Sequence, residues 1–592
     1  MPGSTEGTRP EAVPDLPNHD HPAGRHAATP TGTHVERLTA KPTSPDAHEH
    51  MVVMRDGVRL ATDVYLPRED CPPGPTVLTR LPYDKAGDYC FMPVIAKYFV
   101  DRGYRVVVQD VRGKFRSEGE TLMFVNETYD GSDTLSWIAG QSWSDGDVGM
   151  WGDSYFGFTQ WAAAATAHPA LRAMVPRLTG TDVGGLPKQQ PGSNVSDVEM
   201  SVSRLYALTW FHDRDYVMWD FDPTVRPLAA EAERFFGLVG SRSSSYDLDF
   251  PYPSAVPRFP SGSPFDAPAV PVLMTIGWWD NCAPWQWADH RELQRHPGWQ
   301  AREYLRLEAI DHENQSHFEL GNLRSATESP EVLSRILDPA VEFFDAFLRG
   351  EEHEIPRVRW QLANSGDPTF RASDIWPPAG VVEQQLYLAL DTASPTTGVL
   401  VTERGPADEV AWVHDPNHLV PSPVEDAFAF LAECPDESPR MQHSDVLQFA
   451  GQELLGGLDL VGPVALHAQV SSDGPEFDVF VRLLDLGADG AAHMITRGQV
   501  TVTGPPAAAD VVIDMGHVGY RIHAGHRLIL AVASSDFPEY VPSSGTGEHR
   551  WLSTRTVTTT QRLVLGGPGG AELRLSVQQT PSHANNSRGR SR

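Results

Sequence analysis

A chain of 592 residues with 47 Lys and Arg against 78 Asp and Glu carries a formal charge of −31, which repels phosphate backbones and anionic lipid and argues against nucleic-acid and membrane partners. A hydrophobic content of 40% over this length implies several packed cores, and Cys71, Cys90, Cys282 and Cys434 form no CxxC pair that would signal a disulfide framework or a zinc site. No stretch reaches the roughly 18 apolar residues of a membrane span, and the N-terminus lacks the apolar core of a secretory signal, so the expected compartment is the cytoplasm.

Residues 1–45, rich in Pro, Thr, Gly and His, show almost no apolar periodicity and read as a disordered tail. From about residue 50 the pattern alternates. VRLATDVYLP and PTVLTRLPY predict strands, MPVIAKYFVDRG a helix ended by Gly103, YRVVVQDVRG a buried strand and SDTLSWIAGQ a helix. GDVGMWG predicts a strand feeding a helix over FTQWAAAATAHPALRAMV. Such alternation means βαβ units and a parallel sheet covered on both faces. The pattern breaks over residues 181–263, where aromatic helices mix with Ser/Pro-rich turns, as an insertion would. VPVLMTIGWWDN and EYLRLEAIDHE restore buried strands, and LDPAVEFFDAFLRG closes the unit with an amphipathic helix. After residue 356 short strands follow one another between Gly, Pro and Asp, from VRWQLA to HRLILAVASS, which predicts a β-sandwich of the jelly-roll kind.

The expected organisation is therefore a tail at 1–45, an α/β domain from 46–180 and 264–352, a helical insertion at 181–263, a β-sandwich at 356–580 and a second tail at 581–592. Within the α/β part, GMWGDSYFG raises the first chemical question. A nucleophile elbow reads G-x-S-x-G; Gly152 and Ser154 fit, but Phe156 stands where the second glycine belongs and Gly157 follows it. The strand-to-helix context is that of a strained nucleophilic serine, although a helix N-cap serine has the same local look. In α/β-hydrolases the triad follows in the order Ser, Asp or Glu, His. Asp280 comes directly after an apolar strand, and His312 follows LRLEAI, with His317 as its rival. Trp278, Trp279, Trp285 and Trp287 bracket Asp280 and are candidates for an acyl pocket or for packing. Asp110, Arg112 and Glu118 read as loop-ordering residues, Asp478 and Asp485 match calcium patterns only loosely, and no metal or cofactor is indicated.

The stretches LTRLPYDKAGDY, DRGYRVVVQDVRGKFRSEGE, DTLSWIAGQSWSDGDVGMWGDSYFGFTQW and IGWWDN, with FDVFVRLLD and AGHRLILAVASSDFPEY downstream, resemble the superfamily of cocaine esterase and X-prolyl dipeptidyl-peptidase, which includes the α-amino acid ester hydrolases. Its nucleophile motif is G-x-S-Y-x-G, with the glycine displaced as here. The resemblance implies an α/β-hydrolase core with an inserted helical cap and a C-terminal jelly roll. It places the nucleophile on Ser154, the acid on Asp280, the base on His312, and the oxyanion donors on the Tyr83 hydroxyl and the Tyr155 backbone N–H. One departure stands out: EAID precedes His312 where the family has G-P-W-x.

The expected activity is that of a serine hydrolase cleaving a small-molecule carboxylic ester, or an amide, through an acyl-enzyme. An X-Pro dipeptidyl-peptidase or an α-amino acid ester hydrolase or acylase is the alternative within the same chemistry, with Asp213, Asp215 and Asp220 as groups that could hold a free α-amine. A non-catalytic binding protein using the jelly roll is the alternative outside it. Relatives of this kind suggest self-association, so a homo-oligomer is also an expectation.

Overall fold

The computed structural model describes residues 35–68, 70–185, 187–219, 222, 224–252, 256–314, 330–391, 397–422, 436–504 and 509–579. Among them, ten strands form one sheet in the order Arg371–Ser373, Val358–Trp360, Glu303–Glu308, Val272–Gly277, Leu171–Arg177, Ser144–Asp153, Gly74–Leu81, Arg105–Asp110, Arg59–Tyr65 and His48–Val53. The run from Val358–Trp360 to Arg105–Asp110 is parallel, and antiparallel strands flank it on both sides. The central strands are buried along their whole length, as Arg105–Asp110 and Val272–Gly277 show, because helices cover both faces of a parallel sheet.

The covering helices follow from their sequences. Met92–Val100 starts with Pro93 in its first turn and stops just before Gly103, whose φ of 85° no β-carbon residue adopts readily. In Pro330–Phe347, Leu333, Leu337, Ala340, Phe343 and Phe344 form one buried stripe. Phe344 lies so close to Gly149 that a β-carbon there would meet its ring at 2.6 Å. Truncating Phe344 to alanine would cost about 3–5 kcal/mol by the usual cavity scale.

Three expectations from the sequence need correction. The helix carrying Ser154 ends at Ala164, and Leu171–Arg177 is the next strand of the sheet. Ala167 turns left-handed (φ 53°) just before His168-Pro169, and proline disfavours helix in the residue before it. Val358–Trp360 and Arg371–Ser373 belong to the hydrolase sheet, so that sheet runs past the boundary expected at 356. The N-terminal tail is also shorter than expected, because Val35–Leu38 is a strand paired with Tyr216–Trp219 of the insertion. His19, His21 and His26 lie outside the described residues.

The C-terminal region is built of strands, most of them antiparallel and alternately buried, as in Ala509–Ile522, where Ala509, Val511, Ile513 and Met515 point inward. It takes in a strand of the insertion, Val195–Ser196, which pairs with Ala492–Thr503. The insertion carries the helices Ser201–Thr209, Ala229–Val239 and Ser244–Asp249. Its backbone is also bonded to the β-rich domain at Ser201, Val541 and Ala229. No helix among the described residues is long and apolar enough to cross a membrane.

Candidate active site

Ser154 stands at the junction of the strand Ser144–Asp153 and the helix Ser154–Ala164, with a φ of 52°. A left-handed serine costs on the order of 1–3 kcal/mol and persists only where its surroundings fix it. Here they do: Ser154 N–H donates to the Leu178 carbonyl at 3.1 Å, and the Thr179 hydroxyl donates to the Ser154 carbonyl at 2.6 Å. The displaced glycine has a spatial reason. A β-carbon at Gly157 would lie 2.5 Å from Thr179 Cγ2, and one at Gly152 would lie 2.2 Å from the Phe156 ring. Gly152 thus makes room for Phe156, while Gly157 makes room for the chain that anchors Ser154.

Asp280 and His312 come from the ends of the two neighbouring strands Val272–Gly277 and Glu303–Glu308. The His312 Nδ1 donates to Asp280 Oδ1 at 2.7 Å, and the Cys282 N–H donates to the same oxygen at 3.0 Å. Asp280 has no exposed side-chain surface. Burial alone would disfavour the His312 imidazolium, but Cys282 and Asp280 outweigh it and hold its pKa well above the ordinary histidine value. The Cys282 thiol, within 4.8 Å of the imidazole, is pushed up to about 11 by burial and by the Asp280 charge.

The EAID segment shows how the histidine loop is held. Trp278 N–H donates to the Glu308 carbonyl at 2.9 Å and Trp279 N–H to that of Ile310 at 3.2 Å, tying the two loops together. Glu308 is buried; burial would raise its pKa, but Arg306, Arg335 and Arg177 outweigh this and keep it below the usual range. Ala309 N–H donates to Gln361 Oε1 at 3.0 Å. Beyond the histidine, Asn314 (φ 60°) receives Arg177 Nη2 on its side-chain oxygen at 2.5 Å and donates from Nδ2 to Asp153 Oδ2 at 2.9 Å. Asp153 directly precedes Ser154, so one amide joins the histidine loop to the serine turn.

Tyr83 follows the strand Gly74–Leu81, in a turn fixed by the Asp110 carboxylate, which accepts the Lys85 N–H at 2.7 Å. Its hydroxyl is hydrogen-bonded to the hydroxyl of Tyr206, which comes from the inserted helix Ser201–Thr209, and lies beside the Ser154 side chain. Its ring is wedged edge-on against Trp210 and Phe156, with centroids at 4.7 and 6.0 Å. The Tyr155 N–H lies in the first turn of its helix, where backbone donors have no intrahelical acceptor. Its side chain points the other way, donating to Glu127 Oε1 at 2.9 Å and accepting from Phe124 N–H at 2.9 Å.

Other candidates are engaged elsewhere. Trp278 Nε1 donates to the Gln361 carbonyl at 3.1 Å and its ring stacks on Trp376, while Trp279 Nε1 donates to the Met494 carbonyl at 2.9 Å. Both therefore pack the seam with the β-rich domain, and Trp287 joins them by stacking on His517 and Trp376. Trp285 is partly buried and rests against Gly180. Asp213 and Asp215 both pair with Arg37. Asp478 accepts from Arg550 and Thr501, and Asp485 from His526 and Tyr520. Arg112 is paired with Asp130 and Asp56, and Glu118 with Arg59. Asp220, Cys434 and His317 lie outside the described residues. Sequence reasoning missed Tyr206, Cys282, Arg177 and Asn314. Only Cys282, two positions past Asp280, had a local signal that could have found it.

A parallel sheet flanked by helices, with a left-handed serine at a strand–helix turn, defines the class: a serine hydrolase of the α/β-hydrolase fold. Residues 56–214 match the model of the X-Pro dipeptidyl-peptidase (S15) family, and residues 353–573 match that of the X-Pro dipeptidyl-peptidase C-terminal non-catalytic domain. Both matches fall in the superfamily of cocaine esterase and X-Pro dipeptidyl-peptidase, which this chain resembles. The chain is 29% identical to the cocaine esterase of Rhodococcus sp. (strain MB1 Bresler) over 547 residues, 84% of this chain and 92% of that one. An aminopeptidase from a marine sediment Thaumarchaeota archaeon superposes with a TM-score of 0.73 at 22% identity, covering 97% of this chain and all of the other. A selenomethionine-labelled α-amino acid ester hydrolase does so at 0.69 and 21%, covering 96% of this chain and all of the other. These two structures share the fold: an α/β-hydrolase core with a β-rich C-terminal domain.

Proposed function

We propose that this hydrolase cleaves a carboxylic ester through an acyl-enzyme on Ser154. The observation that carries the reading is the left-handed Ser154 at its strand–helix turn, with the Tyr83 side chain beside it, at the sheet edge that also bears the buried Asp280–His312 pair. His312 takes the Ser154 proton as the hydroxyl oxygen attacks the ester carbonyl, and Asp280 holds the ring with Nδ1 protonated and balances the imidazolium that forms. The Tyr83 hydroxyl and the Tyr155 N–H donate to the oxyanion of the tetrahedral intermediate. As the intermediate collapses, His312 passes its proton to the leaving alkoxide. Water then attacks the acyl-Ser154 with the same proton route reversed, releasing the acid.

Recognition of a free α-amine is not favoured, because Asp213 and Asp215 already face Arg37. An acyl ester is therefore the expected substrate class, ahead of an X-Pro peptide or an α-amino acid ester. A fluorophosphonate probe should label Ser154, and Ser154→Ala should lose labelling and about 10⁴-fold or more of the turnover of an activated acyl ester. Wild-type turnover in that variant would sink the proposal. A marked preference for esters with a free α-amine over their N-acylated forms would move the substrate class to the alternative.

A further inference from the structure

We propose that Cys282 makes the base of this site a receptor for a thiophilic divalent cation, Zn²⁺ or Cd²⁺, which captures His312 and switches hydrolysis off reversibly. The inference rests on the reading of His312 as the base. Asp280, Cys282 and His312 each present a ligand atom within 4.8 Å of the other two. Around a tetrahedral zinc, with Zn–S of about 2.3 Å and Zn–N of about 2.0 Å, neighbouring ligand atoms are roughly 3–4 Å apart, so small side-chain rotations bring all three onto one ion. Thiol and imidazole lie side by side within 4.8 Å. The second carboxylate oxygen, Asp280 Oδ2, is buried without a hydrogen-bond partner among the described residues and is available as the third donor.

The donor set also fixes the class of ion. One thiolate with one imidazole and one carboxylate suits Zn²⁺ and its softer relatives, whereas Mg²⁺ and Ca²⁺ demand oxygen ligands. Binding replaces the thiol proton, which leaves to solvent, and occupies the His312 Nδ1 lone pair as the Nδ1 proton moves to Nε2, the nitrogen that must be bare to act as base. An imidazole so held cannot accept the proton of Ser154. Cys282 is only 2% exposed, and its N–H is bonded to Asp280, so thiol and carboxylate sit on one tight turn. A second group with similar spacing, His418, His443 and Asp445, lies on the C-terminal domain and has no sulfur ligand.

Co²⁺ titration of the full-length protein tests the proposal directly, because only thiolate ligation gives a sulfur-to-cobalt charge-transfer absorption; ions held at His418 and His443 do not. The wild type should develop this band to saturation with a single ion, and Cys282→Ser should not. Zn²⁺ should inhibit ester hydrolysis and block fluorophosphonate labelling of Ser154, with EDTA restoring both. The inhibitory Zn²⁺ concentration should rise about tenfold or more in Cys282→Ser, in line with the loss of a metal contact. A wild type without the band, or a Cys282→Ser variant as sensitive to Zn²⁺ as the wild type, overturns the proposal. If Cys282→Ser does not fold, the wild-type spectrum alone decides. Failure of the catalytic reading is seen elsewhere, as wild-type hydrolysis by Ser154→Ala, and would leave the cobalt spectrum untouched.

Discussion

Ser154 and His312 are held at the same sheet edge by different means. The serine turn is mostly local: Gly152, Phe156 and Gly157 shape it from within the same stretch of chain, and Leu178 and Thr179 close it from the next strand. The histidine loop is assembled from afar, by Trp278 and Trp279, Gln361, Arg177 and Arg335. A turn fixed by backbone sterics tolerates little change in its own letters. A loop held by backbone bonds and by side chains from distant segments can change its letters, as EAID does, provided that those side-chain partners change with it.

The contrast between serine turn and histidine loop sets four expected outcomes. The largest effect belongs to His312→Gln, which should lower kcat by about 10⁴-fold while the protein still folds, whereas His317→Gln should keep wild-type turnover; a reversed outcome moves the base to His317. Tyr83→Phe should reduce kcat by about 10²–10³-fold with KM little altered, since in the proposed mechanism its hydroxyl serves the oxyanion rather than the bound ester. Asn314→Ala should reduce kcat by about 10- to 100-fold through misplacement of the histidine loop, with Ser154 still labelled by fluorophosphonate and the melting temperature nearly unchanged; an unaltered kcat would dismiss the tie between loop and serine turn.

The smallest effect is in the pH profile. Cys282 and Asp280 outweigh burial in raising the His312 pKa above 6.5, so the protonated, inactive base persists to higher pH than in an ordinary histidine. The kcat/KM should climb with pH through a pKa above 6.5, and a limb at or below 6.5 would contradict the site electrostatics. By the same sign, this histidine adds stability below pH 6.5, and that contribution fades as pH rises through its folded-state pKa.

The difference between the two regions also explains what could be read from the letters. Ser154 and Asp280 stand out as candidates because strand ends, glycines and chain order are local patterns, and the alternation of strands and helices outlined the parallel sheet. Tyr83 came only through family likeness, since nothing in LPYDK by itself separates an oxyanion donor from a half-buried tyrosine. Asn314 and Tyr206 were illegible for a plain reason: their partners Asp153 and Tyr83 lie 161 and 123 positions away. Two edge strands of the hydrolase sheet were credited to the C-terminal domain because three-residue strands carry no period of their own. The tryptophans around Asp280 looked like a pocket because composition cannot tell which way a ring faces.

The strand Val35–Leu38 deserves a last consequence. It pairs with Tyr216–Trp219, while Val195–Ser196, in the same insertion, extends the C-terminal sheet. The insertion that supplies Tyr206 is thus tied to a strand ahead of the hydrolase sheet and to the C-terminal sheet, and swinging it away as a hinged flap would break backbone ladders on two sides. Substrate exchange through local side-chain and loop motion, rather than a swing of the whole insertion, is what such stitching favours.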